Sequence, residues 1–388
     1  MANGRAAVLD GVALAQPKAN EDKTPVRAAA ELQQVDALKK KEQEQVVVEI
    51  EENETTSTTT TSTTSTSTQT STTTKKALPK LEQPPLIDIS SVNPKAHPFF
   101  KPFPWTIFSS QICPTGVQTL FVVHTAIHNR LRRDAIRATY ANKFWYEAYG
   151  YRTLFAVGHH KEAIEEERIR EEAAEYRDII QADFMDAYRN MTIKYLMWMR
   201  FVRDHCKEVK LIVKMDDDIL PNIFWIFMDL KLGKIHTNRT FTGVNFAGPV
   251  FRDIGSPWYV AKEAHPEDNW ESYCSGPAFF QSADMTTDLV KQAEQHEHYV
   301  SVDDAWVTGT LAKEIGAHHD FTTYASNFQW NDKTTEMDML ARTHIFGAYK
   351  TTTAAKRIFN ELRFMYGMAT DPPDHFKGFY KGGPQGKE

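Results

Sequence analysis

Cysteine is scarce in this chain: three residues in 388, at Cys113, Cys206 and Cys274. So few, so widely spaced, exclude a disulfide-dense scaffold and a CxxC zinc module. One bridge with one free thiol, or no bridge at all, are both compatible with that count. An excess of positive charge is also missing, since Lys+Arg 45 against Asp+Glu 51 gives a formal net charge of -6. Nothing in that balance advertises a nucleic-acid partner. Long apolar runs are missing too. Residues 8–15 are interrupted by Asp10 and Gly11, and 219–232 contains Pro221, Asn222 and Asp229. The first is too short for a signal peptide or anchor, and the second suits a core helix better than a membrane span.

Aromatic residues make up 12% of the chain, yet none occurs from Met1 to about Lys95. A segment without large apolar side chains cannot offset the entropy of ordering its backbone, so it is expected to be disordered. Within it, Glu31 to Glu52 is dense in charge, and Thr55 to Thr74 is Ser or Thr throughout except Gln69. Such a tract is a mucin-like stalk in a secretory compartment and a plain spacer in the cytosol. A proline-rich entry, 78–104, follows. The expected organisation is a stem-like region over 1–96, a folded domain over 97–370 and a flexible tail over 371–388. Sequons stand at Asn53, Asn190 and Asn238, a short motif that carries little weight alone.

The folded part reads as alternating strands and helices. Thr119 to His124 is an apolar run of buried-strand type, followed by a loop from Thr125 and a basic helix over 131–144. Strands are expected over 151–157, 178–180 and 210–215, and helices over 161–177 and 188–206. The alternation argues for an α/β sandwich with a largely parallel sheet.

Chemistry concentrates in a few places. Asp216, Asp217 and Asp218 follow the apolar strand that ends at Met215. Three adjacent carboxylates repel one another, and a hard divalent cation is an economical partner. The bland alternative is a solvated acidic turn before a helix. Asp303 and Asp304 precede a second helix, where they serve either as first-turn residues or, for one of them, as a general base. Between the two clusters, Ser275, Gly276 and Pro277 make a tight turn that lets backbone approach a ligand. Arg130, Arg132, Arg133 and Arg137 follow the first strand. Arg130, Arg133 and Arg137 share one helical face, suited to a diphosphate or simply solvated.

In this order the blocks resemble the β-1,3-galactosyltransferase family, the β-1,3-hexosyltransferase group that includes the Fringe-type enzymes (glycosyltransferase family 31). Arg133-Asp134-Ala135-Ile136-Arg137-Ala138-Thr139-Tyr140 stands where the family has R-x-x-I-R-x-T-W. Asp178 to Lys194 follows the family's D-[IL]-[IL]-x-x-D-F-x-D-x-Y-x-N-L-T-x-K, and Lys214 to Asp218 its K-x-D-D-D. Trp270 to Phe280 matches a Y-x-x-Y-x-S-G-x-x-Y block loosely. Asp303 to Gly309 matches E-D-V-x-x-G with one extra residue before the glycine. The departures are Tyr140 for Trp, Pro277-Ala278-Phe279 for a Gly-rich segment, and Asp303 for Glu.

The resemblance implies a GT-A fold: a Rossmann-like, mixed or mainly parallel sheet flanked by helices, behind a disordered stem. It implies an inverting transfer of a hexose, galactose or N-acetylglucosamine, from a UDP-sugar to a sugar hydroxyl in β-1,3 linkage. The acceptor would be an oligosaccharide, glycoprotein or glycolipid. Asp304 is the expected base. Mn²⁺ or Mg²⁺ is expected on Asp216 and Asp218, with a histidine as a further ligand, His344 ahead of His318 and His319. Thr125, Arg130, Arg133, Arg137, Lys194, Asp216, Asp217, Ser275 and Gly276 are expected around the nucleotide-sugar. The Golgi lumen is the expected location, with a type II membrane anchor that is not in the chain and no nucleic-acid partner. The competing readings are a catalytically silent carbohydrate-binding or scaffold protein of the same fold, and a glycoside hydrolase.

Overall fold

The computed structural model describes residues 80–368 apart from 88, 91 and 330–334. The expected tail and most of the expected stem therefore lie outside the described residues. In chain order, the short strand β1 (Trp105–Ile107) precedes β2 (Thr119–His124), β3 (Tyr151–His159), β4 (Ile179–Met185) and β5 (Leu211–Asp216). Strands β2 to β5 pair in parallel in the order β4-β3-β2-β5, and β1 adds antiparallel to β4. Successive side chains of a strand point to opposite faces, and here both faces are dry. Leu120, Val122, Leu154, Ala156 and Ile212 enter one core, while Phe121, Val123, Phe155, Val157 and Val213 enter the other. Burial on both sides is why these runs are nearly continuous in apolar residues.

Helices α1 (Arg130–Ala138), α2 (Lys143–Tyr149), α3 (Ala163–Tyr176) and α4 (Met191–His205) connect these strands. The single helix expected over 131–144 is thus two. At the break, the Thr139 hydroxyl bonds back to the carbonyls of Ala135 and Ile136, and Tyr140 and Ala141 turn into the core. Gly150, at φ 68°, ends α2 in the left-handed conformation that glycine adopts without penalty.

The chain continues through β6 (Ile219–Pro221), α5 (Ile223–Lys231), β7 (Thr240–Thr242), β8 (Asn245–Pro249), β9 (Asn269–Cys274) and β10 (Ala278–Ser282). Residues 219–221 are strand rather than the start of the expected core helix, because β6 pairs with the late strand β13 (Phe346–Ala348). Asn222 then caps α5 by accepting from the Trp225 amide. Helix α6 (Thr286–Ala293) leads to α7, residues 303–314, whose middle, Trp306–Leu311, is a π-helical turn. Strands β11 (His318–Asp320) and β12 (Phe328–Gln329), then α8 (Thr335–Leu340), precede β13, and α9 (Thr352–Met365) ends the described domain.

The main sheet extends as β5-β10-β7-β11, with β10 antiparallel to β5. The expected architecture, a Rossmann-like and mainly parallel sheet flanked by helices, is the one the chain forms. Cys113 and Cys206 form a disulfide, and Cys274 is free and buried. Contacts to the domain begin before residue 97: Leu81 packs on the core, and Glu82 accepts from the Ser110 amide. Among the described residues no helix is long and apolar enough to cross a membrane.

Candidate active site

Strand β2 is the switch point of the parallel sheet, because β3 and β4 lie to one side of it and β5 to the other. Ligands of open α/β sheets bind beyond the carboxyl ends of strands at such a point. Here those ends are His124 and Asp216, paired in register, with the Asp217 amide donating to the His124 carbonyl. The acidic run therefore stands at the carboxyl end of the sheet, beside the end of β2.

Its three carboxylates do different work. Asp217 points inward: Thr125 Oγ1 (2.6 Å) and Asn129 Nδ2 (2.8 Å) donate to its Oδ2, and Arg132 Nη1 (2.7 Å) to its Oδ1. With three donors and almost no exposure it is a strut, not a nucleotide contact. Asp216 and Asp218 keep 22% and 18% of their side-chain surface open. Lys214 Nζ donates to Asp216 Oδ1 (3.0 Å), and Arg132 Nη1 lies 3.5 Å from Asp218 Oδ2. Burial disfavours the charge on Arg132, but Asp217 and Asp218 more than reverse this and hold the guanidinium above its ordinary pKa.

Lys214 also donates to the Gly276 carbonyl (2.6 Å), so one ammonium ties the acidic run to the Ser275-Gly276 turn. On the far side of that turn stands Asp304. A methyl group on Gly276 would lie only 2.8 Å from Asp304 Oδ2, so the glycine permits the close approach. Asp304 Oδ1 accepts from the Ala305 amide (2.8 Å), leaving Oδ2 toward Gly276. Burial first, and the neighbouring Asp303 second, push the Asp304 carboxyl up to about 7. A carboxylate near neutrality is matched to taking a proton at physiological pH.

Helix α7 carries this residue on an irregular backbone. Its middle, Trp306–Leu311, is the π-helical turn, a feature frequent at functional sites. Thr308, inside that turn, donates to the Asp304 carbonyl (2.7 Å) and accepts from the Cys274 amide (2.9 Å). The start of α7 is thereby fastened to β9.

Several expected site residues are placed elsewhere. Arg133 is 1% exposed: it makes a two-point ion pair with Glu172 and bonds the Ala126 and Ile127 carbonyls. Arg137 grips Asp178 through Nε and Nη2 at 2.8 Å and also bonds Asp134, while Arg130 pairs with Asp134 and Glu172. The shared arginine face is real, but it faces α3 and the start of β4 instead of a diphosphate. Lys194 is buried on Asp186 (2.7 Å) and the Thr125 carbonyl (2.7 Å), so Lys194 and Thr125 shape the loop rather than line the crevice. His344 bonds Thr343 and lies before β13 on the side where Phe346 meets Pro221, whereas Tyr349, beyond the other end, bonds Asp218. His344 thus precedes the end of β13 that is farther from the acidic run. Lys214 links Asp216 to Gly276, against which Asp304 stands, while Asp218 lies beside Arg132. Arg132, Lys214 and His124 stand beside these residues without having been expected at the site, although Arg132 belongs to the basic cluster and Lys214 to the K-x-D-D-D block. Lys214 carried a signal: a lysine inside an apolar strand needs a partner.

Among the described residues no three His, Cys, Asp or Glu side chains converge as a ready-made metal shell. The donor set still fits a divalent ion of the kind held by one or two carboxylates plus substrate phosphate oxygens, since Asp216 and Asp218 both reach the crevice.

Residues 131–322 match the sequence profile of the galactosyltransferase family. They belong to that family. Mouse (Mus musculus) β-1,3-galactosyltransferase 1 is 30% identical over 218 residues, covering 56% of this chain and 66% of that protein. Chimpanzee (Pan troglodytes) β-1,3-galactosyltransferase 5 is 30% identical over 190 residues, 48% of this chain and 63% of that one. The chain thus spans just under two thirds of the length of these relatives. Among solved structures, a galactosyltransferase LgtC in complex with donor and acceptor sugar analogues aligns over 67% of this chain and 99% of its own. Its 12% identity and TM-score of 0.31 give that alignment no weight here.

Proposed function

We propose that this protein is an inverting, metal-dependent galactosyltransferase-type enzyme. It moves a hexose, galactose or N-acetylglucosamine, from a UDP-sugar to a sugar hydroxyl in β-1,3 linkage. The observation that carries this reading is the placement of Asp304 against Gly276, whose carbonyl Lys214 ties to Asp216 at the carboxyl end of β5. Asp304 Oδ2 takes the proton of the acceptor hydroxyl as that oxygen bonds the anomeric carbon. The bond from that carbon to the diphosphate breaks, and UDP leaves with the electron pair. Proton removal by a positioned base contributes roughly 10²–10⁴-fold. Lys214 holds Asp216 and Gly276 at fixed spacing, so donor and base sides keep their relation. Asp216 and Asp218 are the residues that would hold Mn²⁺ or Mg²⁺, which when bound supplies positive charge to the departing diphosphate. Arg132 lies beside them as a fixed cation.

The acceptor is an oligosaccharide, glycoprotein or glycolipid. The Cys113–Cys206 bridge supports an oxidising compartment, and with the family resemblance this is the Golgi lumen. The test is a panel of UDP-sugars with Mn²⁺, reading UDP release with and without oligosaccharide acceptors. Acceptor-stimulated release from UDP-galactose or UDP-N-acetylglucosamine is expected. Free sugar released from an oligosaccharide without UDP would replace the reading by a hydrolase, and UDP-sugar binding without turnover by a silent member.

A further inference from the structure

His124 ends β2 beside the crevice and is buried. Trp198 Nε1 lies 2.8 Å from its Nε2. An indole N–H only donates, so Nε2 is the acceptor and a neutral His124 carries its proton on Nδ1. That Nδ1 lies 3.9 Å from Asp303 Oδ2. Both atoms are buried, and among the described residues neither has a hydrogen-bond partner. The gap is longer than a hydrogen bond and too short to hold a bridging water, which needs about 5 Å between its two partners. Two complementary buried atoms left unmet make an open contact that costs free energy until it closes. Closure needs a shift of about 1 Å, at the first residue of α7 and one residue before Asp304.

We infer that His124 is a positioning residue. In the substrate-loaded enzyme its Nδ1–H, aimed by Trp198, bonds Asp303 Oδ2, fixes the start of α7 to the end of β2, and so sets Asp304 against the acceptor hydroxyl. Tyr195 packs edge-on against the imidazole at 5.9 Å between ring centroids and limits its other orientations. His124 touches no reacting atom; it acts through Asp303. The inference rests on the proposed role of Asp304 and adds the device that places it.

The experiment compares wild type with His124→Phe, His124→Asn, Trp198→Phe, Asp303→Ala and the His124→Phe/Asp303→Ala double variant. It measures kcat with UDP-galactose and an oligosaccharide acceptor, UDP affinity by calorimetry, and Tm. His124→Phe is expected to lower kcat about 10–100-fold, the penalty for misplacing a group by about 1 Å, with UDP affinity kept within about twofold. His124→Asn, whose amide can donate from the Nδ1 position, should recover most of the loss. The double variant should lose no more than the worse single variant, as one shared contact requires. A His124→Phe enzyme with lowered Tm but unchanged kcat, or additive losses in the double variant, would overturn the inference. Should His124→Phe fail to fold, Trp198→Phe and Asp303→Ala carry the same comparison. A wild type that transfers no hexose refutes the proposed function instead. In that event ¹⁵N-histidine NMR with UDP still decides: a protonated Nδ1 and bare Nε2 on His124 are required, and the reverse tautomer overturns the inference.

Discussion

Gly276→Ala is the sharpest perturbation the geometry offers. The added methyl carbon would sit 2.8 Å from Asp304 Oδ2, 3.2 Å from its Cγ and 3.4 Å from its Cβ. Ordinary contact for such a pair is about 3.5 Å, so something must give by about half an ångström or more. The backbone of Gly276 resists, because its carbonyl is held by Lys214 and the next residue, Pro277, bonds the Asp216 amide. Asp304 is the softer partner, but rotating it breaks the bond from the Ala305 amide to Oδ1. A displacement of about 1 Å at a reacting group costs about 100-fold in rate, so roughly 10-fold or more is expected here. Overpacking should lower stability by about 1–3 kcal/mol. Steady-state kinetics with UDP-galactose and an acceptor, alongside thermal unfolding, provides the assay. Normal kcat with a folded protein would refute the placement of Asp304 at the reacting centre. A tenfold loss with retained UDP affinity supports it.

The pH dependence of stability is a second test. Raised from 3.8 to about 7, Asp304 binds its proton more tightly folded than unfolded. Its contribution is therefore fully present below about pH 4 and lost as pH rises through about 7. At about 1.4 kcal/mol per pH unit the upper bound is about 4 kcal/mol. Asp304→Asn should thus raise Tm at pH 8 and do little at pH 4. In wild type, kcat/KM should rise with pH and level off above about 7. Arg132→Met should leave Asp217 one donor short and remove the guanidinium beside Asp218. It should lower stability by about 1–3 kcal/mol and weaken UDP binding; calorimetry showing unchanged UDP affinity would remove Arg132 from the donor side. Cys113→Ser opens a loop of 93 residues and should lower stability by about 2–5 kcal/mol, read by denaturant unfolding. An unshifted midpoint would contradict the bridge.

Much of the sheet was legible because β2 and β5 are buried on both faces, leaving continuous apolar runs that alternation could not confuse. The carboxyl-end position of the acidic run followed from the same pattern. The arginine helix was half legible. Spacing by three and four places Arg130, Arg133 and Arg137 on one face, but does not say what that face meets. Glu172 and Asp178 meet it, and both are distant in sequence. Arg132, off that face, is the one that reaches Asp217 and Asp218. For His344, only the register of β13 on β6 shows which end of the strand approaches the acidic run. Asp304 was recognisable through its motif. Its pressing against Gly276 and the open His124–Asp303 contact are products of tertiary packing that no local pattern encodes.

The central claim is that Asp304 drives hexose transfer from a UDP-sugar. Its most direct test sets wild type against Asp304→Asn with UDP-galactose, Mn²⁺ and an oligosaccharide acceptor, product read by mass spectrometry and UDP affinity by calorimetry. Wild type should yield acceptor extended by one hexose, and Asp304→Asn none, at matched UDP affinity. Extended acceptor from Asp304→Asn at a rate near wild type would contradict the account.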